Sequence, residues 1–416
     1  MTSSPTAGPK AVSPTPEGLA VSGSTAEAKS GKGSGLPILI LAVAAFALLT
    51  TEFLILGLLP PLARDLGISI SMAGQLVTVF AVVVVLTGPV VAAYVSHWPR
   101  KPLFLGILVI FAVSNGLSAL ATDFWSLALA RTLAAIALPV FWGTASESAA
   151  ALVAPGRAGK AVAQVYLGIT TAFVFGIPLG TLAAASVGWR GAFALLGAFC
   201  LLVAALMAVF MPNIPGSAER TAGTSQFAIL RDKRFMAHVL LTVLVFTGMF
   251  IAYIYLADML EKVVLVPPAN VGWWLMGFGV VGVAGNVLGG RLLEKDASVA
   301  TAILLTVLAV GMAALPAVGQ LQLGAVTALL IWAIAYTALF PVCQVRVMQA
   351  GSNAKALAGT MNVSASNAGI GLGAALGGAA IPILGLNHLG YLAAGVALVA
   401  IALALMLRPK AQVPGR

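Results

Sequence analysis

Apolar stretches of roughly 20 residues, the length a helix needs to cross a hydrocarbon layer, recur about twelve times between Pro37 and Arg408. A water-soluble fold has no interior large enough to hide so many, so the solvent these residues expect is lipid. The stretches are solid apolar runs without two-residue alternation, which selects a helical bundle over a membrane barrel. Charged residues make up only 8% of the chain, against about a quarter in soluble domains. The 45 glycines suit close approach of helices in a membrane.

The expected spans are about 37–59, 71–95, 102–121, 124–150, 159–186 and 190–211, then 237–258, 270–292, 299–319, 322–348, 355–384 and 388–407. Five segments follow: a tail over 1–36, a six-helix bundle over 37–211, a polar linker over 212–236, a second bundle over 237–408, and a short tail over 409–416. Ser, Thr, Pro and Gly dominate residues 1–36, a composition that builds no packed core. That tail does not read as a signal peptide, because a long polar stretch precedes the first apolar run.

The net charge of +10 does not indicate nucleic acid, because its distribution follows membrane topology. With the first residue inside, 18 Lys and Arg fall in cytoplasmic segments. Only Arg64, Arg190 and Lys262 fall outside, and Arg131 lies within a span. The positive-inside rule therefore puts both termini in the cytoplasm. The halves also resemble each other. An offset of 195 residues pairs Gly159–Ala163 with Ala354–Ala358 and Gly176 with Gly371, and an offset of 200 pairs Leu41, Val43, Phe46 and Leu56 with Leu241, Val243, Phe246 and Leu256. Two parallel repeats of this kind enclose a central site that opens alternately to either side.

Two cysteines, Cys200 and Cys343, and three scattered histidines supply neither a disulfide framework nor a metal site. No cofactor is expected. Glu52 carries the most information. An acid this deep in a span costs at least ~2.5–3.5 kcal/mol, so it faces a cavity or a partner. Burial disfavours its charged form, which suits reversible proton binding; a structural carboxylate bonded to neighbouring helices is the alternative. Arg131 is the one base deep in a span. Counted at 1.5 Å per residue from Pro60 and Phe124, both lie on the order of 10–12 Å from the outer boundary. They can therefore meet, either as an exchangeable partnership or as a permanent neutral pair.

Gly176, Pro178 and Gly180 combine a small-xxx-small face with a helix-bending proline, fit for an interface between halves. Trp142, Phe246, Tyr253, Trp332 and Tyr336 fall on the fourth, seventh and tenth spans and are candidates to stack on a planar or amphipathic solute. Arg100 and Lys101, with Glu294 and Lys295 in the second half, are candidates for a cytoplasmic gate; a solvated loop is the plainer reading.

Thr51-Glu52-Phe53 followed by Gly57-Leu58-Leu59-Pro60 and Asp65-Leu66-Gly67, Arg131, and Gly176-Ile177-Pro178-Leu179-Gly180 followed by Gly188-Trp189-Arg190 resemble the signatures of the major facilitator superfamily. The similarity is to its twelve-span drug:proton antiporter branch, near the bacterial sugar-efflux, purine-nucleoside-efflux and drug-resistance members. It covers residues 37–408. The resemblance implies an all-α integral membrane fold of two pseudo-symmetric six-helix bundles, a cavity lined by the first, fourth, seventh and tenth spans, and export of a small organic solute driven by proton entry. It makes Glu52 and Arg131 the coupling and binding residues. A monomer in a bacterial inner membrane is expected, with a small-molecule substrate, protons and lipid as its partners. A facilitator or an importer of the same architecture is the alternative. A non-transporting sensor or an intramembrane enzyme fits less well, because no nucleophile–base grouping is found.

Overall fold

The structure, a computed structural model, describes residues 35–95, 97–154, 157–216, 226–292, 296–352 and 355–408. Most of both expected tails, the middle of the linker, and Glu294 with Lys295 lie outside these residues. The first half comprises α1 (Gly35–Leu66), α2 (Ile70–Val95), α3 (Arg100–Leu120), α4 (Phe124–Ala151), α5 (Ala158–Thr171) and α6 (Ile177–Phe210). The second comprises α7 (Lys233–Tyr253), α8 (Leu256–Lys262), α9 (Val271–Leu292), α10 (Ala297–Val318), α11 (Gln322–Ala350), α12 (Lys355–Leu384) and α13 (Leu389–Met406).

Local chemistry sets several helix starts. Asp123 caps α4 by accepting from the Trp125 and Ser126 N–H groups, and the Ser126 hydroxyl oxygen in turn accepts from the Asp123 N–H. Asp232 and Asp296 cap α7 and α10 by each accepting from two backbone N–H groups, satisfying donors that a helix start leaves open.

Among the described residues, eleven apolar helical stretches are long enough to cross a membrane, one of them a continuous run of 51 residues, Lys160–Phe210. At about 1.5 Å per residue such a run would be more than twice a ~30 Å core. It folds back at Gly188, whose φ of 73° and ψ of 166° interrupt the helix. The run therefore makes two crossings, which brings the total to twelve. Gly385 turns the chain between α12 and α13 with nearly the same dihedrals, φ 82° and ψ 160°.

Two span ends differ from expectation. The Pro60-Pro61 pair does not end α1, which continues to Leu66 with both prolines inside it. Proline removes a backbone bond without removing side-chain packing, and Leu58, Leu59 and Leu62 are fully buried there. The seventh span breaks at Ile254 and Tyr255, and its outer end is the separate helix α8.

Glycines lock each half internally. A Cβ at Gly168, Gly176 or Gly180 would collide with Ala42, Thr50 or Leu54, so α5 and α6 lie directly on α1. In the second half, Gly369, Gly373 and Gly377 of α12 meet Phe246, Thr247 and Ile251 of α7 in the same manner. The two turn glycines, Gly188 and Gly385, fix the repeat at 197 residues. That register matches Gly176 with Gly373 in both sequence and packing. Gly371, the partner expected from an offset of 195, instead lies against Ala81 and Thr78 of the other half.

The apolar core is shared unevenly between the ends of the molecule. One cluster runs unbroken from Leu49–Leu62 of α1 and Ala73–Val77 of α2 into α7, α8, α9, α11 and α12. Nearer the end carrying Arg100, Arg234 and Arg346, hereafter the basic face, it gives way to two separate clusters. One is made of first-half residues from Ile38 to Met211; the other is Phe235, Val239, Val347, Ala358 and Ala365. The halves are thus welded from mid-depth to the opposite face, hereafter the far face.

Candidate functional site

Glu52 and Arg131 do come together, though not as two opposed side-chain charges. Arg131 donates from Nη1 to the Thr51 carbonyl at 3.2 Å and from Nη2 to the Glu52 carbonyl at 2.8 Å. No Glu52–Arg131 ion pair forms within 4.0 Å. The guanidinium, only 2% exposed, also sits 5.2 Å from the centre of the Phe80 ring and 5.9 Å from that of Phe193. Such placement over ring faces is attractive for a cation. α4, α1, α2 and α6 are therefore tied at one residue. Asn115 of α3 extends the polar layer, donating to Thr51 Oγ1 at 3.0 Å and to the Phe111 carbonyl at 2.9 Å. The Glu52 side chain is buried, at 9% exposure, among groups that do not engage it by an ion pair.

The residue after Glu52 turns toward the other half. The Phe53 ring lies 6.0 Å from Phe250 of α7 and 5.1 Å from Phe173 of the π-helical turn Ala172–Gly176. These rings open onto an aromatic cluster built on two stripes. Phe246, Phe250 and Tyr253 project from α7, and Trp332, Tyr336 and Phe340 from α11; the spacings of three and four residues put each set on one helix face. Tyr253 and Tyr336 are 4.3 Å apart, and Phe278 of α9 touches Tyr253, Trp332 and Tyr336 at 5.4, 5.8 and 5.7 Å. Phe340 meets Phe246 at 5.0 Å and Phe173 at 5.8 Å. Tyr336 Oη and Trp332 Nε1 are buried without a hydrogen-bond partner among the described residues.

Four of the five aromatics chosen from the sequence therefore belong to one cluster. Trp142 does not: it packs on Phe141 and Tyr166 inside the first half, at 5.3 and 5.8 Å. Its position on α4 lies where the first-half core meets the core shared by both halves, and it packs against each. Phe173, Phe250, Phe278 and Phe340 are not among the sequence candidates, and Phe53 enters there only as part of the Thr51-Glu52-Phe53 signature. The α7 and α11 members were findable from the spacing; Phe53, Phe173 and Phe278 become neighbours only through tertiary packing.

The glycine–proline segment packs both ways, on α1 of its own half and on α9 of the other. Gly176 and Gly180 face α1 of their own half. Pro178 is at the start of α6, directly after the π-helical turn, and its carbonyl is close to where a Gly272 Cβ would stand. Contact with the other half comes from glycines of α9: Gly272 admits Leu182, and Gly279 admits the Phe173 backbone.

The candidate gate charges divide likewise. Arg100 is buried and pairs within its own half, Nη2 to Glu147 Oε2 at 2.8 Å. Lys101, beside it, is half-buried, and Glu294 and Lys295 are outside the described residues. The ion pair that crosses between halves is at the far face, Arg64 Nη1 to Glu261 Oε2 at 2.9 Å. Next to it Lys262 holds the buried Asp258 carboxylate at 2.9 Å. Two further bonds join the halves, from Ser71 Oγ to the Gly378 carbonyl and from Thr78 Oγ1 to the Gly371 carbonyl at 3.4 Å. Nearer the basic face, no inter-half hydrogen bond or ion pair occurs among the described residues. Arg346, counted from sequence as a loop base, is instead 2% exposed. It donates to Thr242 Oγ1 at 2.8 Å and Thr301 Oγ1 at 3.2 Å.

Comparison with known proteins agrees with this architecture. Residues 41–366 match the sequence profile of the Major Facilitator Superfamily. The inner membrane transport protein YdhP of Escherichia coli is 33% identical over 381 residues, 90% of this chain and 97% of that one. A probable sugar efflux transporter of Helicobacter acinonychis is 30% identical, covering 88% and 93%. A chloramphenicol resistance protein of Streptomyces lividans is 31% identical, covering 86% and 90%. Among solved structures, an inward-facing, unoccupied bacterial homolog of the human lysosomal transporter Spinster superposes with a TM-score of 0.76. It is 17% identical, with 91% of this chain and 97% of that one covered.

Proposed function

The chain belongs to the Major Facilitator Superfamily, as a multi-pass membrane transporter of small molecules rather than an enzyme, and on that premise we propose that it exports an organic solute in exchange for protons. The observation that carries this reading is the junction at residues 52 and 53. Glu52 is a buried acid whose side chain is held in no ion pair, on a backbone segment that Arg131 grips. Phe53, the next residue, packs against rings of both halves. A proton gained or lost at Glu52 changes the charge beside Arg131 and so loads the same backbone that positions Phe53 against α7. Proton binding and the fit between halves are then coupled through one peptide unit.

The one-sided weld supports alternating access. With the basic face in the cytoplasm, as the excess of Lys and Arg there argues, the structure corresponds to a state closed to the outside. Opening outward would require separation of Arg64 from Glu261 and of Ser71 and Thr78 from α12. The efflux name of one relative and the drug-resistance name of another favour export over import, and the relative called an inner membrane protein favours a bacterial inner membrane. Candidate cargoes are drug-like amphiphiles, sugars and nucleosides.

Proteoliposomes test the coupling. Under an imposed proton gradient the wild-type protein should accumulate cargo against its concentration gradient, with chloramphenicol as the first probe. Glu52→Gln should lose that accumulation and keep gradient-independent counterflow. Wild-type accumulation that is indifferent to the proton gradient would sink the antiport reading.

A further inference from the structure

The relatives' names leave the cargo open between chemically opposite classes, polyols and aromatic drugs. The aromatic cluster discriminates between them. Every sugar hydroxyl moved from water into protein without a partner costs about 1–3 kcal/mol, so a sugar site must be dense in amide, carboxylate or hydroxyl groups. Here the facing stripes of α7 and α11 present ring after ring, from Phe250 and Tyr253 across to Tyr336 and Phe340. Their polar equipment is sparse and specific. The Tyr336 hydroxyl and the Trp332 indole N–H are one helical turn apart on α11, both buried and both unpartnered among the described residues. Buried Tyr and Trp normally find a partner for these groups.

A second observation points the same way. Phe278, which forms one wall of the cluster, also lines an apolar groove between α9 and α11, together with Trp273, Trp274 and Leu329. Trp273, on the rim, is 60% exposed within a span, so the groove faces lipid. Phe278 thus touches the groove on one side and the rings of Trp332 and Tyr336 on the other.

We propose that this cluster is the cargo site, and that it selects a flat, largely apolar solute bearing a hydrogen-bond acceptor, which Tyr336 and Trp332 bind while the surrounding rings stack on its faces. This assignment rests on the transport reading above. It excludes polyols as the preferred cargo and makes Tyr336 and Trp332 the residues that set specificity.

A matched pair of probes isolates the acceptor. Fluorenone and fluorene differ by one carbonyl, and lactose represents the polyols. Equilibrium binding to the detergent-purified full-length protein, corrected with protein-free micelles, should favour fluorenone over fluorene by about ten-fold, the size of one or two buried hydrogen bonds. Lactose should bind far more weakly than either. Tyr336→Phe and Trp332→Phe should each shrink the fluorenone preference, and the double variant should bring the ratio near one, whatever the change in fluorene affinity itself. Equal binding of fluorenone and fluorene by the wild type overturns the assignment, as does tighter binding of lactose or a preference that survives both substitutions. If the variants fail to fold, the wild-type ratio still decides. Proton-driven transport in vesicles without a fluorenone preference would sink the cargo assignment alone. A fluorenone preference without gradient-driven movement would sink the export reading and leave the site standing.

Discussion

Arg131 meets α1 through two carbonyls, a geometry that depends on the shape of its side chain as much as on its charge. The guanidinium reaches Thr51 and Glu52 from two different nitrogens while lying near the Phe80 and Phe193 rings. Lysine offers a point charge on a flexible stem and cannot reproduce a planar fork between rings. Arg131→Lys should therefore lower stability by about 1–3 kcal/mol, the cost of one buried charge-assisted bond. Thermal unfolding of the purified protein checks this, and an unchanged midpoint would mean that the two bonds contribute little. The sequence made Glu52 and Arg131 legible because ionisable groups are rare inside spans. It could not show that the guanidinium grips the main chain, because depth along two helices says nothing about which face of each is turned inward.

At the scale of elements, the turn glycines show how backbone chemistry decides topology. Gly188 has φ 73° and ψ 166°, a region that side-chain-bearing residues enter only at a cost of order 1–3 kcal/mol. A Cβ there would meet nothing within 4 Å, so Gly188→Ala isolates the backbone term from packing. It should destabilise the protein by about that amount, read as a lowered unfolding midpoint. Little or no change would mean that the turn relaxes elsewhere. The hydropathy of α6 runs straight through this point, yet the chain reverses, because no single helix of that length fits a bilayer. The stripes on α7 and α11 were legible as three- and four-residue spacings. The break at Ile254 and Tyr255 and the continuation of α1 through Pro60 were not, since each balances a local backbone preference against packing of the whole bundle.

The two halves are joined by contacts that run from mid-depth to the far side, with the one described ion pair between them at the far face. Arg64–Glu261 spans the halves there, with Arg64 more than half exposed, so the pair adds little to stability and acts instead on which face is closed. Reversing one charge places two acids together and should favour the state open at the far face. A membrane-impermeant thiol reagent can follow this at Ser71→Cys, after the two buried native cysteines, Cys200 and Cys343, are replaced by serine. Arg64→Glu should raise the labelling rate several-fold, roughly the effect of 1 kcal/mol on a two-state population. The swap of Arg64→Glu with Glu261→Arg should restore the wild-type rate. Equal labelling in all three proteins would show that the pair does not control access.

The sequence by itself determined the solvent, the twelve crossings and the placing of Glu52 and Arg131 within spans, because each follows from composition within one helix length. Tertiary structure alone decided what those residues touch. Rotating a helix by one residue turns its contacts through about 100°, and the rotation is set by packing against helices distant in sequence, as where Gly176 lies on Thr50. That is why Arg100 turned to Glu147 instead of across the interface, and why Phe53, Phe173 and Phe278 joined a cluster that no local pattern announces.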